Sequence, residues 1–182
     1  MKKINLLFAV HNHQPVGNLE KVFRTGWESC YEPFLAVIEK YPQFRLSLHY
    51  SGSLLEWLEE KRPEFLERLR ALIARGQVEI LSGGFYEPFL PYIPERDAVG
   101  QIGLLSRYLG EKLNARPQGF WLPERVWMPT LPKTVAPSGL KYTIVDDLHF
   151  RYAGFSDEDM FGHYVTEYEG FILCLFPINK RL

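Results

Sequence analysis

Cysteine is nearly absent from this sequence: Cys30 and Cys174 are the only two in 182 residues. They form no metal or redox motif, and Cys174 lies in an apolar run, so both are expected to be reduced thiols in a cytoplasmic protein. An excess of one charge is missing too. Lys and Arg number 21 against 22 Asp and Glu, for a net charge of -1, which gives no reason to expect nucleic acid or an anionic membrane as a partner. No apolar run is long enough to span a bilayer. Lys2-Lys3 followed by Ile4 to Val10 has the outline of a signal peptide, but no small-residue cleavage site follows and polar His11-Asn12-His13-Gln14 comes next. The run reads instead as a first strand. Repeats, low-complexity tracts and obvious linkers are also absent. What remains, 46% hydrophobic and 24% charged, is an ordinary soluble composition long enough for one domain with a core. Aromatic residues are plentiful at 15%. Many sit in loops beside glycine or proline, a placement that suits a binding surface.

Ile4 to Val10 is continuously apolar, as expected of a parallel strand covered on both faces. It ends in His11-Asn12-His13-Gln14-Pro15, polar residues that look like an active-site loop. A single histidine there would be a satisfied core residue, but His11 and His13 at alternate positions weaken that reading. Tyr31 to Lys40 has helical spacing through Phe34, Leu35, Val37 and Ile38, with Pro33 in its first turn. Phe44 to Tyr50 alternates as a second strand, and Ser53 with Glu56 predicts a capping box for the next helix. Pro63 opens a further helix that Gly76 stops. Gln77 to Leu81 is the third strand. Glu79 faces the opposite side from Val78 and Ile80, and a carboxylate buried there needs a partner. Ser82-Gly83-Gly84-Phe85-Tyr86-Glu87-Pro88 is a glycine-rich aromatic loop without the lysine or spacing of a phosphate loop. A helix runs from about Pro94 to Leu113; Gly100 and Gly103 weaken it, and close helix packing is the default reason for them.

The centre of the sequence is Trp121-Leu122-Pro123-Glu124-Arg125-Val126-Trp127. The apolar run Gly119-Phe120-Trp121-Leu122 reads as a buried strand, and Pro123 stops its ladder. Glu124 then falls just past the strand's carboxyl end, where barrels of alternating strands and helices mount catalytic groups. The tryptophans offer flat apolar faces to a sugar ring and would shield the carboxylate from water. The plainer alternative is a structural Glu124–Arg125 pair capping the next helix, with the tryptophans as core. A proline-rich helical segment leads to Gly139. The fifth strand, Tyr142 to Val145, ends in Asp146-Asp147-Leu148-His149, again at the active-site face. His163 to Tyr168 and Phe171 to Pro177 form a hairpin, or one hairpin arm and a barrel strand.

Strands alternating with helices predict an α/β fold with a parallel sheet. The candidates His11, His13, Glu79, Glu124, Asp146 and Asp147 fall on several different strands, as a barrel mouth would arrange them. Carboxylates beside tryptophans and histidines suit glycoside hydrolysis, in which one carboxylate attacks and another donates a proton. His-x-His with the aspartates and His149 equally suits a metal-dependent hydrolase. Residue types alone leave both open.

His11-Asn12-His13-Gln14-Pro15, Gly76-Gln77-Val78-Glu79-Ile80 and Trp121-Leu122-Pro123-Glu124-Arg125-Val126 resemble the first three signature regions of glycoside hydrolase family 57. The likeness is strongest to its 4-α-glucanotransferase and α-amylase branch, and it covers essentially the whole chain in order. The resemblance implies an incomplete, seven-stranded TIM-like (β/α) barrel. It implies action on α-glucan or maltooligosaccharide substrates, with retention of configuration and no metal in the chemistry. Position by position, Glu124 would be the nucleophile. His13, Glu79 and Trp121 would line the subsite of the attacked sugar, with His11 nearby. Arg125 would hold Glu124 ionised, since an adjacent cation lowers a carboxylate's pKa. Asp146 and Asp147 would be supporting residues only.

The family's fourth region carries the aspartate acid/base, and neither it nor the fifth has a counterpart here. Residues 1–182 are therefore expected to be the amino-terminal portion of one barrel, with little turnover alone and an exposed sheet edge that invites self-association. Two other readings stand beside this one: a metal-dependent polysaccharide deacetylase-like hydrolase, and a non-catalytic glucan-binding fragment.

Overall fold

Apolar strands separated by helical periodicity should give a strand–helix alternation, and the computed structural model, which describes residues 5–180, has that order. The chain divides into two compact units, Met1–Leu81 with Arg107–Arg116 and Ser82–Ser106 with Pro117–Leu182.

In the first unit, β1 (Ala9–Asn12), β2 (Leu46–Tyr50) and β3 (Val78–Ile80) form a parallel sheet in that order. Register aligns Val10, Leu48 and Ile80 on one face, where Leu48 and Ile80 are buried. Ala9, Ser47 and Glu79 align on the other face, and His11 opposite His49 comes one layer further along. The first strand thus lies later than its hydrophobicity suggests. Leu6, Leu7 and Phe8 precede it and are exposed, and Ile4 lies outside the described residues. Backbone pairing does not depend on side-chain polarity, so His11 and Asn12 take ladder positions that a hydropathy reading withholds from them.

A helix not anticipated before Tyr31 begins this unit's helical layer. α1 (Glu20–Gly26) passes through a π-helical turn, Trp27–Tyr31, into α2 (Glu32–Lys40). The wide turn adds a residue to the helical count between buried Phe23 and buried Tyr31, Leu35 and Ile38, which hides the period. α3 (Gly52–Lys61) and α4 (Pro63–Ala74) follow, and Gly76 stops the second at φ +70° as expected. The capping box does not form. Ser51 holds the N-cap position, and the Ser53 hydroxyl donates to the Gln14 carbonyl instead.

Across α2 and α4, Arg68 donates to Glu32 at 2.7 Å and to both carboxylate oxygens of Glu39 at 2.9 and 2.8 Å. These groups are about a third exposed, so solvent screens them. Arg68→Met is expected to lower stability by about 1–2 kcal/mol, less in high salt, as read from urea denaturation.

The second unit holds a mixed sheet ordered β4-β5-β7-β6. β4 (Gly119–Phe120), β5 (Tyr142–Val145) and β7 (Phe171–Pro177) run parallel, and β6 (Tyr164–Tyr168) pairs antiparallel with β7. Of the two readings of the last stretch, the second is the observed one: β7 is both a hairpin arm and a parallel strand. Glu169 and Gly170, at φ +51° and +84°, make the two-residue turn of positive φ that closes such hairpins. Phe120, Leu131, Val135, Val145 and Leu173 centre its core. α6 (Leu131–Val135) and α7 (Asp147–Tyr152) follow β4 and β5 respectively.

α5 (Glu95–Leu113) contributes residues to each unit. Ile102, Leu105 and Leu109 of its apolar stripe are buried, whereas Val99 is exposed. Close packing does not explain Gly100 and Gly103, because a Cβ built on either meets nothing within 4 Å. Gly100→Ala and Gly103→Ala should each stabilise the protein, by roughly 0.5–1 kcal/mol, through helix propensity; thermal denaturation of each variant checks this.

Candidate active site

Alternation along the end of β1 sorts the polar loop into two roles. Asn12 and Gln14 turn inward and are buried. Asn12 Nδ2 donates to the His49 carbonyl at 3.2 Å, and Gln14 Nε2 donates to the Tyr31 hydroxyl at 2.9 Å. Gln14 also accepts from Asn18 Nδ2 at 2.8 Å, and its amide donates to Ser51 Oγ at 3.3 Å. These bonds fix the backbone that carries the two histidines. His11 and His13 project to the opposite side, half-buried, with rings stacked at 5.8 Å between centroids.

A third histidine joins them. His49 on β2 is fully buried, and its ring lies 5.0 Å from that of His11 with the two Nδ1 atoms 2.9 Å apart. Sequence reasoning passed over it, because one histidine in an alternating strand reads as core. Its only signal is the strand-end pattern itself, a position opposite His11 that appears once the register is known.

Glu79 shares the face of His11 and His49 but sits about 6–7 Å lower along the strand direction. The buried carboxylate inferred from its neighbours is exposed instead, accepting a long hydrogen bond from Ser47 Oγ at 3.4 Å. Val78 and Ile80 are buried as expected, so alternation holds along the strand while the second face is left uncovered at Glu79.

In the second unit, β4 ends at Phe120 and the chain enters a tight turn. Trp121 N donates to the Ser82 carbonyl at 2.7 Å, and Thr143 Oγ1 donates to the Phe120 carbonyl at 2.9 Å. Arg125 N then bonds Leu122 O at 3.0 Å and Val126 N bonds Pro123 O at 3.2 Å. Closing these turns puts Glu124 at φ +49° and Arg125 at φ +54°, consecutive left-handed residues with side chains. Each costs roughly 1–2 kcal/mol relative to right-handed backbone. Strain of this kind persists where the surroundings over-determine it, most often at functional sites.

Glu124 lies four residues past the end of β4, as the sequence implied, and it is exposed. The tryptophans do not shield it as expected: Trp121 is half-buried, and Trp127 packs against the unit's core. Nor does the expected Glu124–Arg125 partnership describe the guanidinium. Arg125 Nη1 donates to Asp146 at 2.9 Å, across from the neighbouring strand end. Asp146 also caps α7, accepting from Leu148 N at 3.1 Å, and receives Lys180 Nζ at 2.8 Å. Lys180 arrives there because β7 runs parallel beside β5, with Val145 opposite Pro177. Asp147, also buried, lies 3.0 Å from the same ammonium and 3.4 Å from Arg151. Burial alone would raise the Asp146 pKa. The Lys180 ammonium, the Leu148 amide and Asp147 outweigh it and hold the carboxyl down at about 2.

The site residues thus form two clusters, each within one unit. His11, His13 and His49 stand together, with Glu79 a layer away; Arg125, Asp146 and Asp147 converge with Lys180 beside the strained Glu124 turn. His149, half-buried in α7, offers its amide to Asp146 O at 3.2 Å. Both thiols are free, Cys30 exposed and Cys174 half-buried. Among the described residues no helix is long and apolar enough to cross a membrane.

A parallel-stranded α/β fold with acidic, aromatic and imidazole side chains at its strand ends is a scaffold for chemistry on the loops beyond those ends. The chain belongs to glycosyl hydrolase family 57, which it matches over residues 7–182. It is 46% identical over 181 residues to α-amylase 1 of Dictyoglomus thermophilum, covering 100% of this chain and 26% of the relative. It is likewise 46% identical to the 4-α-glucanotransferase of Thermococcus litoralis, covering 28% of it. The crystal structure of that transferase superposes with a TM-score of 0.95 at 45% identity, over 99% of this chain and 28% of that one. The chain therefore spans about a quarter of the length of these relatives. A putative polysaccharide deacetylase from Mycobacterium smegmatis shares the fold alone, with a TM-score of 0.63 at 16% identity over 87% of this chain and 49% of that one.

Proposed function

We propose that this chain is the amino-terminal portion of a retaining enzyme that hydrolyses or transfers α-1,4-linked glucan, the incomplete (β/α) barrel implied by its family resemblance. The observation that carries the reading is Glu124, an exposed carboxylate on a strained turn just beyond a strand's carboxyl end. Glu124 is the nucleophile that forms the glycosyl-enzyme bond, and His11, His13, Glu79 and Trp121 contact the sugar. The substrates are starch- or glycogen-derived chains and maltooligosaccharides, acted on in the cytoplasm.

A retaining mechanism needs a second carboxyl group about 5–5.5 Å from the first to protonate the leaving oxygen. Asp146 is unsuited to that work. Held at a pKa of about 2 by its cationic partner, it carries no proton to give at neutral pH. Asp146 and Asp147 are supporting residues, Asp146 anchoring Arg125 of the turn and Asp147 pairing with Lys180 and Arg151, and the acid/base is a different carboxyl group. The 182 residues by themselves are expected to give little turnover.

The metal-hydrolase reading would draw on the same two aspartates, and both are engaged by Lys180 and by Arg125 or Arg151. A cation entering there would have to displace them. The test of the favoured reading is product analysis. The protein, in the full length its gene encodes, should convert maltooligosaccharides into new chain lengths with retained α configuration. Unchanged substrate, or β-configured products, would end the proposal.

A further inference from the structure

We propose that His49 is a positioning residue that fixes the tautomer and ring plane of His11, and so decides what hydrogen bond His11 offers to a sugar hydroxyl. The proposal rests on the α-glucan reading for its ligand; the ring pair itself stands on geometry.

β1 and β2 are parallel, with His11 directly opposite His49, so both side chains leave the sheet on the same face. Flanking Leu48 and Tyr50 are buried on the other side of the sheet. Leucine or phenylalanine would fill position 49 without an imidazole's need for partners. The backbone is secured separately, since the His49 carbonyl takes the Asn12 amide at 3.2 Å. The imidazole itself is in contact with His11. Ring centroids lie 5.0 Å apart with planes at 30°, and the two Nδ1 atoms are 2.9 Å apart.

At that separation the contact is a hydrogen bond only if one Nδ1 carries hydrogen and the other a lone pair. The two rings therefore hold complementary tautomers. Whichever state Nδ1 of neutral His11 takes, its Nε2 takes the opposite one, because neutral imidazole has one donor and one acceptor nitrogen. In water both tautomers interchange. Against a fully buried neighbour, one is selected, and the ring plane is set with it. His11 then presents a single kind of hydrogen-bonding group in a single direction. Preorganisation of this sort favours one orientation of a sugar hydroxyl over another.

The test joins spectroscopy to kinetics. With histidine ring nitrogens labelled with 15N, the protein should show a scalar coupling between Nδ1 of His11 and Nδ1 of His49, with one nitrogen of the pair protonated. In the full length the gene encodes, His49→Phe should fill the volume, turn the His11 signals into an average of tautomers, and lower kcat/KM on maltooligosaccharides about tenfold, the scale of losing a group that orients an active-site histidine. His49→Asn, which places an amide near the position of Nδ1, should recover most of that loss. Absence of the coupling overturns the proposal even if the Phe variant fails to fold. So does a His49→Phe enzyme with unaltered kcat/KM, or a His49→Asn enzyme no better than it. Failure of the α-glucan reading is separately visible, as activity surviving Glu124→Gln while the coupling remains.

Discussion

Glu124→Gln, in the full length the gene encodes, should reduce turnover of maltooligosaccharides by about 10^3- to 10^6-fold, the range seen when an enzyme loses its nucleophile but keeps its binding groups. Glutamine preserves the volume and the left-handed backbone strain of the turn, so the loss would report chemistry and not folding. The amide cannot form the glycosyl ester on which retention depends. KM should change little. Glu124→Gly offers a sharper version, because glycine accepts φ +49° without strain and leaves room for a small anion. Azide added to that variant should restore glycosyl transfer, now to azide and with inverted configuration. Wild-type rates in the glutamine variant would remove Glu124 from the mechanism.

Asp146→Ala is expected to cost about 2–3 kcal/mol of stability and to depress activity as well. The substitution removes the α7 cap and leaves the Arg125 and Lys180 cations without their shared acceptor. Activity suffers because Arg125 follows Glu124 directly in the strained turn, and its guanidinium is anchored by this carboxylate. The milder Asp146→Asn isolates the charge. Its pH dependence follows from a folded pKa depressed from 3.8 to about 2. Protonation is harder in the folded state, so the ionised carboxylate stabilises the fold above pH ~4. That contribution is lost as pH falls through about 2. The difference between wild type and Asp146→Asn in urea midpoint should thus be constant from neutrality to about pH 4, then shrink toward pH 2. A gap that persists undiminished at pH 2 would show that Asp146 acts through shape alone.

Legibility in the sequence followed the range of the interaction. Glu124 could be placed because its markers are local: an apolar run, a proline that ends the ladder, and the flanking tryptophans. The partner of Arg125 could not. Asp146 is 21 residues away in the chain and arrives only because Phe120 pairs with Thr143 across parallel strands. His49 was hidden for the same reason, since its role is defined by the residue opposite and not by its neighbours in sequence. Helices α3, α4 and α5 were legible from period and punctuation, whereas α1 was masked by the π-helical turn that throws the period off. The first strand was displaced because hydropathy marks burial, while pairing is a backbone property. Glu79 shows the limit of alternation, which assigns a face but says nothing of what covers it. The double aspartate, expected from the resemblance to be supporting only, is engaged in ion pairs with Lys180, Arg125 and Arg151.

The hairpin of β6 and β7 also has a consequence in time. Its two strands meet across a two-residue turn, with Tyr168 opposite Phe171, so it can close within about 1–10 μs of the chain beginning to fold. Every other strand pair among the described residues joins partners farther apart in the sequence, and β5 reaches β7 only across a separation of about 32 residues, Val145 to Pro177. The β6–β7 hairpin is therefore the strand pair able to order first, offering the free edge of β7 as a template on which β5, and with it the anchor of the Glu124 turn, is laid down.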